Sequence, residues 1–214
     1  MSKTQSVFKP RPRIQSLSDL IFGLALSIGA LTLIGQQPAT FQQLMVSLGL
    51  YAFSFMILIN VWRTYSTIMS VLPVETSGLT DLNILLLFLV SIEPYLFNEL
   101  FAVYGEMWYN VSILYSLDLA AMFLVLAFFN HSLADEEKKL VPESFLRKYK
   151  LGRNLCLLMI AVCIVSTAPF FGSITVLHLM IGKLPYDIPL RVFPWIAALL
   201  LGWSRHFLEQ TAKS

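Results

Sequence analysis

The sequence predicts an all-α polytopic membrane protein with six transmembrane helices per subunit. Of its 214 residues, 57% are hydrophobic and only 13% are charged, and the mean hydropathy is +0.70. Soluble domains carry about 25% charged residues, and a soluble core of this size could not hide so much apolar surface. The excess apolar surface must therefore face lipid.

Six apolar stretches follow one another, each near the length that crosses a hydrocarbon core of about 30 Å. They are Leu17–Gly35, Leu44–Trp62, Leu82–Leu100, Val111–Phe129, Leu155–Phe171 and Leu190–Phe207. Pro169 and Gly172 interrupt the fifth stretch, and Ser173–Ile181 beyond them is again apolar. Two interpretations of this segment stay open: one long bent helix, or a span followed by a short helix in the outer leaflet.

The distribution of positive charge predicts the orientation of these helices. Of the 15 lysines and arginines, all but Lys183 and Arg191 fall on one side of the predicted membrane. The positive-inside rule places the richer side in the cytosol, so both termini are expected there. The predicted organisation is a cytosolic arm over 1–16, a membrane domain over 17–207 and a cytosolic tail over 208–214. Arg191 is expected to extend its side chain to the membrane interface.

The motifs of common enzymes are missing from the sequence. It has no glycine-rich phosphate loop, no HExxH and no GxSxG. Its three histidines, His131, His178 and His206, have no metal-ligand partner at helical spacing. We therefore predict no enzyme activity, no catalytic residue, no metal site and no cofactor, and we expect no nucleic-acid partner.

The first apolar stretch carries a bulky stripe beside a small one. Leu24, Ile28 and Leu31 recur at helical spacing and share one face, and Ser27 lies in a neighbouring stripe of small residues. This pattern suits a pore-lining helix with a hydrophobic constriction. It also suits a helix with one lipid face and one packed face, and the spacing alone favours this second interpretation.

The start of the same stretch is polar. Ser18 and Asp19 are typical N-cap residues, and an acid at a helix N-terminus is favoured by the helix dipole. Arg13 lies close enough in sequence to pair with Asp19. Local physics thus predicts an ordinary helix start at the membrane interface.

Acidic residues also occur within the predicted spans. Glu93 directly precedes Pro94, which is expected to disturb the third helix. Asp118 is the deepest acid, about seven residues into the fourth stretch. Two roles stay open for Asp118: a cation or proton path, or a pair with a polar group on a neighbouring helix.

Blocks in the first three apolar stretches occur together in one known family. They are Arg13 with Leu17-Ser18-Asp19, then Ser54-Phe55 with Trp62, then Leu82-Asn83 with Ser91 and Pro94. On these blocks the chain resembles the potassium channels of the transmembrane protein 175 family, in its prokaryotic branch. Three positions in these blocks depart from the family pattern: Leu17 replaces a phenylalanine, Tyr65 stands where the family often has histidine, and Glu93 replaces an apolar residue.

The resemblance implies a cation channel that is permeable mainly to K⁺. It also implies a homotetramer in the plasma membrane, in which the first helix of each subunit lines the pore. In that arrangement Leu24, Ile28 and Leu31 form the narrowest part, and Ser27 stands where most relatives have threonine. The alternative to the channel is a proton-coupled secondary transporter that uses Asp118.

The resemblance further implies a polar cluster that fixes the first helix on the cytosolic side. Its members are Arg13, Ser18, Asp19, Trp62 and Asn83. The sequence lacks the Thr-Val-Gly-Tyr-Gly filter of common potassium channels. We therefore expect modest selectivity over sodium and a gate that closes by dewetting.

Overall fold

The structure of the protein is a computed structural model. It describes residues 13–35, 40–72, 77–102, 105–136, 140–181 and 184–211. Within these ranges, the description leaves out the side chains at 13–14, 32–35, 77, 144, 177–181, 184–187 and 205–211.

Six long helices account for most of the described residues, and each contains most of one predicted apolar stretch. They are α1 (Arg13–Gly35), α2 (Phe41–Met69), α3 (Ser77–Ala102), α4 (Gly105–Ala134), α5 (Glu143–Ser166) and α7 (Val192–Thr211). Between α5 and α7 lie the five-residue helix α6 (Pro169–Ser173) and an antiparallel hairpin of β1 (Thr175–Ile181) and β2 (Leu184–Pro189).

Four helices are long and apolar enough to cross a membrane. These segments are Phe41–Met69, Gly78–Ala102, Gly105–Ala134 and Phe145–Ser166. Helices α1 and α7 contain shorter apolar segments, Gln15–Leu31 and Val192–Ser204. Large apolar side chains are exposed along all six long helices, and so much exposed apolar surface is stable against lipid rather than water. The chain is a multi-pass membrane protein, as predicted.

Helix α4 lies at the centre of the bundle, and α1 lies towards its edge. Of the 18-residue apolar segment of α4, 61% is buried inside the subunit, compared with 28% of the corresponding segment of α2. Helix α4 packs against α3 on one side and α5 on the other, whereas α1 packs against α3 and α2. The subunit core therefore forms around α4, and one side of α1 remains uncovered.

The segment after α5 differs from the prediction. Helix α5 ends at Ser166, and Thr175–Ile181 forms a strand that pairs with Leu184–Pro189. The prediction of one long bent helix is wrong, and the alternative of a following short helix holds only for Pro169–Ser173. Apolar content cannot distinguish a short strand from a helix, and here the partner strand decides. The all-α prediction therefore fails for this hairpin.

One local prediction about α1 is also wrong, and the disturbance expected of Pro94 does not end α3. Helix α1 begins at Arg13, so Ser18 and Asp19 lie inside the helix and not at its N-cap. Helix α3 continues through Pro94 to Ala102. A proline removes one backbone hydrogen bond, but neighbouring helices and local adjustment let a membrane helix continue past it.

Candidate functional site

One face of α1 is buried against the rest of the subunit. It includes Ser18, Phe22, Ala25 and Gly29, which recur at intervals of four, three and four residues. A Cβ atom added to Gly29 would lie 3.5 Å from the ring of Tyr51. The small residues thus let α2 and α3 approach α1 closely.

The other face of α1 is exposed in the subunit. Leu24, Ile28 and Leu31 expose 57%, 38% and 60% of their surface. Ser27 is exposed as well, and its hydroxyl donates to the carbonyl oxygen of Gly23 at 2.8 Å. The structure therefore places the four predicted stripe residues on the side of α1 that faces away from the subunit core.

A polar cluster joins α1 to α2 and α3. The hydroxyl of Ser18 accepts hydrogen bonds from the hydroxyl of Tyr65 at 2.7 Å and from Nδ2 of Asn83 at 3.3 Å. Nε1 of Trp62 donates to Oδ1 of Asp19 at 3.2 Å. Four of the five residues predicted for this cluster therefore meet in the structure, on three different helices.

Two side chains that the prediction left out also join α1 to α2, those of Tyr65 and Gln15. Nε2 of Gln15 donates to the carbonyl oxygen of Met69 at 2.6 Å, which provides a partner for a backbone group at the C-terminal end of α2. The sequence did contain a signal for Tyr65, because it lies three residues after Trp62, where the family often has histidine. The side chain of Arg13 lies outside the described residues, so its place in the cluster stays a prediction.

We expect Ser18→Ala to destabilise the folded protein by about 1–3 kcal/mol. The hydroxyl of Tyr65 and the amide of Asn83 would lose a shared acceptor in a buried site. Thermal unfolding in detergent, followed by tryptophan fluorescence, measures the effect. Ser27→Ala is the matched control, because that hydroxyl is exposed and bonds only its own helix. Equal losses of stability in Ser18→Ala and Ser27→Ala would contradict a stabilising role for the cluster.

A buried carboxyl group lies farther along α3. Glu93 is wholly buried. The hydroxyl of Ser54 lies 3.0 Å from both of its carboxyl oxygens, and the hydroxyl of Tyr115 donates to Oε1 at 3.1 Å. Asp118 is 6% exposed and also faces the protein interior. Both acids point towards protein and not lipid, as expected for ionisable residues within a membrane.

Arg191 is wholly buried, so the prediction that it extends to the membrane interface is wrong. Its guanidinium group donates to Ser112 Oγ and lies 4.6 Å from the centre of the Tyr109 ring. Its other acceptors are backbone carbonyl oxygens, those of Tyr109, Ser166, Thr167 and Ala168. Carbonyl groups at a helix C-terminus carry partial negative charge, and the end of α5 thereby stabilises the buried cation.

Residues 13–94 match the family model described as endosomal/lysosomal potassium channel TMEM175. Among curated proteins, none matches the chain. Among solved structures, the chain is similar to a lysosomal potassium-selective channel TMEM175 homolog from Chamaesiphon Minutus. The identity is 17% and the TM-score 0.59, over 90% of this chain and 96% of that one.

A second solved structure with the same fold is a variant of the potassium channel MtTMEM175, crystallised with a Nanobody-MBP fusion protein. Its identity is 19% and its TM-score 0.64, over 100% of this chain and 99% of that chain. The described helices and these comparisons define a polytopic membrane protein with the fold of these two channels. The resemblance to the TMEM175 family is thereby confirmed over residues 13–94, and the fold of the second channel extends over the whole chain.

Proposed function

We propose that the protein is a potassium channel of modest selectivity, with a central pore formed by the α1 helices of four identical subunits. The observation that carries this proposal is the exposed face of α1, which contains Leu24, Ser27, Ile28 and Leu31. Helix α1 is packed on its other face by α2 and α3. Four copies of the exposed face can therefore meet around a fourfold axis.

The residues on this face define how the pore would work. Leu24, Ile28 and Leu31 occupy about 10 Å along the helix axis and would form successive apolar rings. A narrow apolar ring gates by losing its water. Discrimination between K⁺ and Na⁺ would then depend on the width of the rings and on the hydroxyl of Ser27, which supports modest selectivity.

The assignment of K⁺ as the permeant ion is supported by the relatives. The matched family model and both solved structures carry the description of a potassium channel. The polar cluster around Ser18 would hold the exposed face of α1 towards the pore axis. Its role would be structural or gating, and it would not coordinate the ion.

The proposed topology has six spans, with both termini in the cytosol of a prokaryotic cell and the channel in the plasma membrane. Helices α1 and α7 have 23 and 20 residues, and a 20-residue helix is about 30 Å long. Six spans place both termini on one side. The connection from α4 to α5 and the first turns of α5 together carry six lysines and arginines, among them Lys150, which pairs with Glu136 at 2.7 Å. These cations support that side as the cytosol.

A proton-coupled transporter is the second candidate function. Asp118 favours it, because its buried Oδ2 atom has no hydrogen-bond partner among the described residues. Transporters commonly bind substrate where membrane helices are broken. Helices α3 and α4 are continuous on either side of Glu93 and Asp118, which favours the channel.

Ion flux into liposomes that contain the purified protein tests the proposal. We expect K⁺ flux that exceeds Na⁺ flux, does not saturate with concentration and needs no proton gradient. Flux that requires a proton gradient and is lost in Asp118→Asn would establish the transporter instead. The channel would be refuted if neither the wild type nor Leu24→Ala, both reconstituted as tetramers, conducted K⁺.

A further inference from the structure

Two carboxyl groups are buried inside the subunit on neighbouring helices, neither of which is the proposed pore helix. Glu93 of α3 and Asp118 of α4 are 0% and 6% exposed. Helices α3 and α4 pack directly against each other. Tyr115, which donates to Glu93, lies one turn before Asp118 on the same face of α4. The two acids therefore share one buried environment.

The hydrogen bonds in this environment serve Glu93 but leave one oxygen of Asp118 without a donor. Glu93 accepts from the hydroxyls of Ser54 and Tyr115. The Oδ2 atom of Asp118 is buried and has no donor within the described part of the chain. A buried carboxylate oxygen without a donor is costly, so the arrangement requires a further positive charge or proton.

No cationic side chain is found near the pair in the described residues. The neighbouring helices present other groups there. They are the hydroxyl of Ser54 on α2, the phenol of Tyr115 on α4 and the thiol of Cys163 on α5. The ring of Trp195 on α7 packs against Tyr115, and the backbone of Gly29 on α1 lies beside Pro94. The buried cation Arg191 donates instead to Ser112 and to backbone carbonyls. The charge of the acids is therefore not balanced by the protein.

We propose that Glu93 and Asp118 form a proton-binding site inside each subunit, and that the pair holds at least one proton at neutral pH. Two carboxyl groups in one buried site cannot both ionise without a large penalty. A proton requires no cavity, and on Asp118 it would remove the negative charge that Oδ2 carries without a donor. Ser54 and Tyr115 then stabilise the remaining charge on Glu93 by donating to it.

Proton binding links the stability of the subunit to pH. The folded state favours the protonated pair, whereas both acids are ionised at neutral pH once they reach water. The stabilisation of the folded state by the bound proton is therefore complete at low pH. It is lost as pH rises through the range in which the folded pair gives up its proton. Each retained proton changes the ratio of folded to unfolded protein by up to about tenfold per pH unit. This inference concerns the subunit interior and does not depend on the proposed conduction.

Infrared spectroscopy of the purified protein detects the proton directly. At neutral pH we expect a carbonyl band of a protonated carboxylic acid, which is lost or reduced in Glu93→Gln and in Asp118→Asn. Glu99→Gln is the matched control, since Glu99 lies on the same helix and is partly exposed. The control should keep the band. Absence of the band from the wild type, or its persistence in both test variants, would overturn the proposal.

Thermal unfolding from about pH 5 to about pH 9 measures the consequence. We expect the wild type and Glu99→Gln to lose stability as pH rises, and the two test variants to show a flatter profile. Either variant suffices if the other fails to fold. The same slope in all four proteins would refute the linkage. Stabilisation by Na⁺ or K⁺ at fixed pH, without the acid band, would assign the site to a metal cation instead.

Discussion

Arg191→Met is expected to destabilise the folded subunit by about 3 kcal/mol, because the carbonyl oxygens of Ser166 and Thr167 lose the donor that Arg191 provides. Arg191 donates to Ser112 Oγ and to four backbone carbonyl oxygens around the ends of α4 and α5. Each buried acceptor that loses its donor costs about 1–3 kcal/mol. Removing the buried charge offsets part of this loss, so the net effect is smaller than the sum.

The packing around Arg191 leaves little room for compensation. A Cβ atom added to Gly172 would lie 2.8 Å from the Tyr109 ring and 2.9 Å from Nη2 of Arg191. The backbone N–H of Arg191 also donates to the carbonyl oxygen of Phe171 at 2.8 Å. The side chain therefore joins α4, the end of α5 and the start of α7 at one point.

Thermal unfolding in detergent measures the effect of Arg191→Met. Arg63→Met is the matched control, because Arg63 is exposed, and we expect it to change stability by less than about 0.5 kcal/mol. Arg191→Lys should fall between them, since lysine keeps the charge but lacks the planar set of five donors. An Arg191→Met protein as stable as the control would mean that these carbonyls find other donors.

Leu24→Ala is expected to raise K⁺ flux by about tenfold or more, since each buried CH₂ group contributes about 0.8 kcal/mol of hydrophobic free energy. In a tetramer the change removes side-chain carbons from four subunits at one ring. The ring becomes wider and easier to wet, so the closed state is less favoured and selectivity over Na⁺ weakens.

The control for Leu24→Ala is Leu158→Ala on α5. Leu158 exposes 46% of its surface, which is comparable to Leu24, but it lies on a helix far from α1 in the chain. We expect Leu158→Ala to leave flux unchanged in the liposome assay. Unaltered flux and selectivity in a folded, tetrameric Leu24→Ala protein would mean that Leu24 does not form part of the constriction.

The sequence predicted the face of α1 that the subunit leaves exposed, but its proposed role in a pore remains a prediction. The spacing of Leu24, Ile28 and Leu31 requires only that the segment be helical, and the helix is present. Spacing alone could not decide whether the stripe faced the core, the lipid or another subunit. The burial of Phe22 and Ala25 on the opposite side excludes the core.

The polar cluster was predicted by resemblance and not by local physics. Ser18 and Asp19 taken alone indicated a helix N-cap, and the helix in fact begins at Arg13. The hydroxyl of Ser18 meets Tyr65 at a separation of 47 residues and Asn83 at a separation of 65. A sequence pattern within a single helix cannot predict contacts between residues that lie so far apart in the chain.

The sequence by itself determined the membrane class, the approximate positions of the six long helices and the composition of the stripe on α1. These follow from local quantities: the free energy of transfer to lipid over about 20 residues and the 3.6-residue period. Only the tertiary structure decided that Thr175–Ile181 pairs with Leu184–Pro189, that Arg191 is buried and that Glu93 lies against Ser54 and Tyr115. Strand pairing and hydrogen bonding of buried polar groups depend on which helices become neighbours, and that is a property of the whole packed bundle.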